Sequence, residues 1–455
     1  MLSLTIMANQ KNKELPLVNL QGTDTKMLNS LQRETFDYFL KEVDPITGLI
    51  VDKTQPGFPS SIAVVGMSLS AYIIGVEKKF LLRHDAIKRV LKILHFFYNS
   101  RNSTEPDATG YKGFYYHFLE MDTGKRAWQC ELSTVDTAFF IAGALSAATY
   151  FSGNDKDETE IRHLTDELYK RVDWQWALNE GTTITHGWKP ESGFLPFRWE
   201  DNYSEAHLLY VLALASPTHP IQPEGYRKWL STFNVEKVYD IEYLYAGPLF
   251  IHQLSHMWID FRGIHDAFNK KAGFDYFENS KRATCIHQKY AIDNPKKFKH
   301  YGEFCWGLTA SDGPGNSILK IDGEQRIFYD YIARGAPYGP DDGTVSPWAV
   351  VASLPFAPEI VIDTIRHAIE RLNLKNHRLY GFDASFNPTY PKKNTNPNGW
   401  VSLWRFGINQ GPIVIMIENY HSELLWKVMR QCRYIADGLR LAGFSGGWLN
   451  NSAKS

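Results

Sequence analysis

Residues 201–220, DNYSEAHLLYVLALASPTHP, read as a polar loop that enters a short apolar helix and stops at two prolines. Leu208, Leu209, Val211, Leu212 and Leu214 cover more than one face, so this helix is expected to be buried nearly all round. Ser204 is the expected N-cap, and Pro217 and Pro220 end the element. Glu205 then sits at the mouth of a buried helix. Burial raises a carboxyl's pKa and a helix N-terminus lowers it, so the sequence leaves the net direction open. Read alone, Glu205 is a first-turn acid that suits the helix dipole; with its neighbours it becomes the raw material of a general acid.

The chain on either side repeats the theme. Residues 60–76 and 133–151 are apolar and rich in small residues, as buried helices are. Around them come amphipathic segments at 29–43, 85–98, 156–177, 223–233 and 358–372. Residues 248–261 and 263–288 read as helical, and 411–443 as one broken helix or two. Residues 113–128 read as a hairpin turning at Met121–Gly124, and 181–199 hold turns. Residues 301–342 and 377–399 are loops dense in Gly, Pro and Asn. Buried helices alternating with amphipathic ones predict two helical layers in an all-α domain over 28–455, with a loose arm at 1–27.

The balance of 49 basic and 50 acidic residues points to neither nucleic acid nor an anionic membrane surface. The four cysteines form no CxxC pair, no apolar run is long enough to span a bilayer, and the first 15 residues lack a readable signal peptide. With 27 Phe, 24 Tyr and 13 Trp the chain is rich in aromatics, most of which must be core. Trp128, Trp188, Trp199, Trp306, Trp348 and Trp400 all lie near turn residues, where stacking on a sugar is the alternative to core packing.

Three groups of residues could carry chemistry. In ELSTVDTA, residues 131–138, Asp136 falls in the first turn of a buried helix, so it repeats the placement of Glu205. Two rim acids meeting in one cleft would make an acid/base pair, though spacing cannot show that they meet. In GPLFIHQLSHMWIDFR, residues 247–262, His252, His256 and Asp260 share one face if the segment is helical. HQLSH has the histidine spacing of a zinc-protease helix, but Gln253 stands where that motif needs its glutamate, which disfavours a metal site. The third group is loops: WGLTASDGPG at 306–315, RGAPYGPDDG at 334–343 and YGFDASFN at 380–387. No P-loop lysine follows 313–315, and no G-x-S-x-G elbow occurs.

Taken in order, ELSTVDTA, YSEAHLLYVLALASPTHP, AGPLFIHQLSHMWIDFR, WGLTASDGP, RGAPYGPDDGT and GPIVIMIENYHSELLW resemble the bacterial glycoamylase-like family, glycoside hydrolase family 144. The resemblance covers roughly residues 28–449. It implies a single (α/α)6 toroid with short hairpins in its loops and the cleft at one end of the inner helices. It implies inverting hydrolysis of β-1,2-glucan, endo or sophorose-releasing exo, with no cofactor and no metal, by a monomer in the periplasm or outside the cell. It implies Glu205 as acid, Asp383 as base and Asp136 in binding or catalysis, with Asp342 and Asp312 as the other base candidates. Glu131, His252, His256, Asp260, Arg262 and Trp306 are its expected subsite residues, with Asp312 and Asp342. The readings that compete are an α-glucan glucoamylase and a β-glucan-binding protein without turnover.

Overall fold

The computed structural model describes residues 22–375, 379–391 and 398–450. Six times the chain passes from an outer helix to an inner one. Helices α1 (Gly22–Lys41), α3 (Arg83–Asn99) and α5 (Lys156–Arg171) lead to α2 (Ile62–Glu77), α4 (Thr134–Tyr150) and α6 (His207–Leu214). Helix α7 (Pro223–Leu230) leads to a run of 3-10 turns at Leu249–His252 and Ser255–Met257. Helices α8 (Ala267–Ala272) and α9 (Tyr276–Asp293) lead to α10 (Pro347–Ala352), and α11 (Pro358–Glu370) leads to α12 (Gly407–Ser422). Helices α13 (Leu424–Arg430) and α14 (Arg433–Leu441) then pack back on α4 and α6.

The inner elements close a ring. Helix α2 packs on α4 and α12, α4 on α6, and α10 on α12. The 3-10 run fills the remaining gap. Ser255 Oγ accepts the Leu208 N–H of α6 at 3.2 Å, and Gln253 Nε2 donates to the Ala349 carbonyl of α10 at 2.7 Å. This is an (α/α)6 toroid.

Composition explains the layering. Every residue of α2 from Ile62 to Gly75 is buried, whereas α3 buries a single stripe of Ala86, Ile87, Val90, Ile93, Leu94 and Phe97. Helices α2 and α4 cross at two glycines. A Cβ on Gly143 would lie 2.0 Å from the Gly66 carbonyl oxygen, so only glycine admits this approach.

Several expected boundaries move. Residues 22–27, expected in the arm, are helical. Ser204 caps nothing: α6 starts after Ala206, and the Ser204 hydroxyl is buried without a partner. The segment at 248–261 is not one helix, so His252, His256 and Asp260 share no helical face. The segment at 263–288 breaks at Gly273, whose left-handed φ of 78° ends α8, and Asp275 caps α9 anew. The final segment divides into three helices, with Glu423 left-handed between α12 and α13. The hairpin at 113–128 does turn at Met121–Gly124, closed by Glu120 N–H to Lys125 O at 2.8 Å and Ala127 N–H to Phe118 O at 3.0 Å.

Candidate active site

The inner helices start at one end of the ring, and short strands run across that mouth. Val51 pairs with Ser60, Ser60 and Ser61 with Leu119 and Phe118, Tyr116 with Leu132, Leu132 and Ser133 with Trp188 and Gly187, and Trp188 with Phe194. The His117 N–H donates to the Glu131 carbonyl at 2.9 Å and completes the seam. The seam feeds directly into α2 and α4. It therefore sets Asp52, His117, Glu131 and Asp136 side by side at the helix entrances.

Asp136 is the one residue of α4 between Thr134 and Ala147 that is not buried. Ser133 caps the helix: its Oγ accepts the Asp136 N–H at 3.3 Å and donates to Asp136 Oδ2 at 2.5 Å. His117 bridges two acids, with Nδ1 2.9 Å from Glu131 Oε1 and Nε2 3.5 Å from Asp136 Oδ2. Burial opposes the imidazolium most, but Asp136 and Glu131 outweigh it and push His117 up to about 9. The same hydrogen bond holds Glu131 down to about 2.

Glu205 lies in the turn before α6, the neighbour of α4. Its backbone is held by Ser255 Oγ, which donates to the Glu205 carbonyl at 2.8 Å while accepting from Leu208. This hydroxyl does the work expected of Ser204. Burial first, then the negative charge of Asp136, push Glu205 up to about 7, against its own backbone N–H. The charge of Asp136 thus reaches Glu205, which can hold a proton near neutral pH.

Residues 402–406 anchor two further acids. Arg405 Nη2 donates to Asp383 Oδ1 at 2.7 Å, and Ser402 Oγ donates to Asp312 Oδ2 at 2.7 Å. The same segment is stitched to the seam by Thr54 N–H to Arg405 O at 2.9 Å and Gly407 N–H to Asp52 O at 2.7 Å. Asp383 and Asp312 are therefore fixed to the strand that carries Asp52.

The other expected subsite residues sit elsewhere. Asp342 is fully buried, with Arg334 on both oxygens at 2.8 and 2.9 Å and the Tyr329 and Thr344 N–H groups beside them. Burial works to raise it, but Arg334 prevails and holds it below its ordinary value. That occupancy makes Asp342 a support of its loop. Asp260 is locked by Arg262 and Arg430, and Arg262 also meets Glu423 at 2.8 Å. His252 and His256 are buried: His252 has Nε2 3.1 Å from the Ala246 carbonyl and Nδ1 3.4 Å from Asn279 Nδ2 of α9, and His256 has Nε2 3.0 Å from Ser280 Oγ of α9, so both rings pack against that helix. Trp306 is buried with Nε1 on Thr364 Oγ1 at 3.0 Å, a core tryptophan. Trp128, by contrast, is 59% exposed against Phe58 and Phe118 at the rim.

Sequence reasoning missed Asp52, His117 and Arg405. The hairpin reading placed His117 on a strand, but nothing local says that Glu131 and Asp136 flank it. No group of three or more side chains suited to a metal ion occurs among the described residues.

The chain resembles known proteins along most of its length. The glycoamylase family model matches residues 196–433. A solved structure from Bacteroides uniformis is 31% identical, with a TM-score of 0.83 over 95% of this chain and all of that one. The endo-β-1,2-glucanase of Chitinophaga pinensis, solved with sophorotriose and glucose, is 27% identical, with a TM-score of 0.81 over 93% of this chain and 99% of that one. An exo β-1,2-glucooligosaccharide sophorohydrolase of Parabacteroides distasonis is 27% identical over 452 residues, 92% of this chain. The chain spans 58% of that curated relative's length.

Proposed function

The chain belongs to the glycoamylase family, and on that premise we propose that it is a glycoside hydrolase cleaving β-1,2-glucan or its sophoro-oligosaccharides with inversion. The observation that carries the reading is the pair of rim acids, Glu205 pushed up to about 7 by burial and by Asp136. The similarity to endo- and exo-acting β-1,2-glucan hydrolases supports the substrate.

In the mechanism, protonated Glu205 gives its proton to the leaving glycosidic oxygen. Asp383 takes a proton from the water that attacks C1 from the other face, and Arg405 holds that carboxylate in place. Inverting pairs are usually about 6.5–9.5 Å apart to admit the water. The negative charge of Asp136 favours the protonated form of Glu205 until transfer. His117 compensates the charge of Asp136 and Glu131. A monomer is proposed, and its mass in solution by light scattering tests it. A periplasmic or extracellular location is proposed on the family resemblance, and cell fractionation tests it.

The test is incubation with linear β-1,2-glucan, with soluble starch alongside, reading products by thin-layer chromatography. Short β-1,2-oligosaccharides from the first alone support the reading; a ladder means endo action and an immediate single disaccharide means exo. Product from starch alone would overturn it.

A further inference from the structure

Asp52 is nine-tenths buried, with 9% of its surface exposed. Its backbone is committed on both sides: its N–H donates to the Pro59 carbonyl at 2.9 Å, and its carbonyl accepts from Gly407 at 2.7 Å. Among the described residues neither carboxylate oxygen has a hydrogen-bond partner, and neither is sealed from solvent. A buried carboxylate with both oxygens open costs stability unless something else satisfies it.

Its surroundings say where it lies. Asp52 is two strands along the seam from His117, about 10 Å at the ordinary interstrand spacing. His117, Asp136 and Lys53 all act on its charge, and Asp52 in turn acts on the Tyr331 hydroxyl, which also feels Asp312 and Asp136. These residues come from the entrances of α2, α4 and α12 and from the loop at 331, so the open carboxylate lies among the charged groups that gather at the helix entrances. Burial, the largest influence, pushes Asp52 up to about 6 against the pull of His117. The described residues offer no set of three side chains that would make this a cation site.

We propose that Asp52 is a substrate-binding carboxylate that accepts hydrogen bonds from the hydroxyls of a glucosyl unit bound next to Asp136. This rests on the reading of the cleft as a β-glucan site. A carboxylate suits the role: two oxygens can take two neighbouring hydroxyl donors, and hydrogen bonds to a charged group discriminate strongly.

The experiment compares sophorotriose binding to Glu205→Gln and to the double variant Glu205→Gln/Asp52→Asn by calorimetry. Steady-state kinetics of Asp52→Asn and Asp52→Ala run alongside. The expected result is at least tenfold weaker binding in the double variant. KM should rise by the same factor in the single variants, with kcat within a few-fold and an unchanged melting temperature. Binding and KM within twofold of the parents would overturn the proposal. So would a collapse of kcat at unchanged KM, which would make Asp52 part of the proton chemistry. A fall in melting temperature in both single variants with unaltered KM would make it structural and also overturn it. Wild-type hydrolysis of β-1,2-glucan tests the parent reading by itself, so the two can fail separately.

Discussion

The Ser255 hydroxyl donates to the Glu205 carbonyl at 2.8 Å and accepts the Leu208 N–H at 3.2 Å, so one side chain both caps α6 and fixes the backbone of the rim acid. Ser255 comes from the 3-10 run that closes the ring. Closing the toroid and aiming Glu205 are therefore the same contact.

Ser255→Ala should consequently cost both stability and rate. Losing a buried hydrogen-bonding hydroxyl costs about 1–3 kcal/mol, and loosening the acid should lower kcat about tenfold or more. Ser255→Thr, which keeps the hydroxyl, should recover most of the kcat loss. Denaturant titration and kcat on one sophoro-oligosaccharide check both, and a full-rate alanine variant would detach Ser255 from the positioning of Glu205.

Glu205 is pushed up to about 7 and must carry its proton to act as acid. The rate should therefore fall as pH rises through about 7, approaching tenfold per unit above it. A kcat/KM profile from pH 4 to 9 shows this limb. A rate flat to pH 9 would mean that a group of higher pKa is the donor.

The His117 cluster links pH to stability with a definite sign. His117 is raised from 6.5 to about 9, so its contribution is full below 6.5 and lost as pH rises through about 9. Glu131 is lowered from 4.5 to about 2, so its contribution is full above 4.5 and lost as pH falls through about 2. The side chains remain 31% and 28% exposed, so cleft water screens the effect in part. The melting-temperature gap between wild type and His117→Gln should be widest at pH 4.5–6.5 and shrink toward pH 9; a gap that widens with pH would contradict the arrangement.

Gly143→Ala tests the scaffold apart from the site. Its Cβ would stand 2.0 Å from the Gly66 carbonyl oxygen, so α2 and α4 must separate. Overpacking of this kind costs about 1–3 kcal/mol. Urea titration should show that loss, and an alanine variant as stable as wild type would mean that the crossing is looser than the glycines suggest.

The layering was legible because it depends on composition. A helix such as α2, apolar on every face, has to be inner, and α3 with one apolar stripe has to be outer. The rim placement of Asp136 and Glu205 followed from the same pattern. What the pattern could not carry was contact between distant segments. His252, His256 and Asp260 were grouped by a helical period that the 3-10 run does not keep. Asp342 looked like a loop acid because its partner Arg334, eight residues away, neutralises it only in the folded loop. Asp52 lies 65 residues from His117 in sequence and is brought near it by strands of two residues, too short to leave a period.

The central claim is that Glu205 gives the proton to the leaving glucosyl oxygen. The most direct measurement is kcat and KM on β-1,2-glucan for wild type and Glu205→Gln, with melting temperatures taken on the same preparations. The account predicts a kcat about 10²–10⁴-fold lower in the variant, with KM and melting temperature little changed. A Glu205→Gln protein that keeps near-full kcat would contradict it.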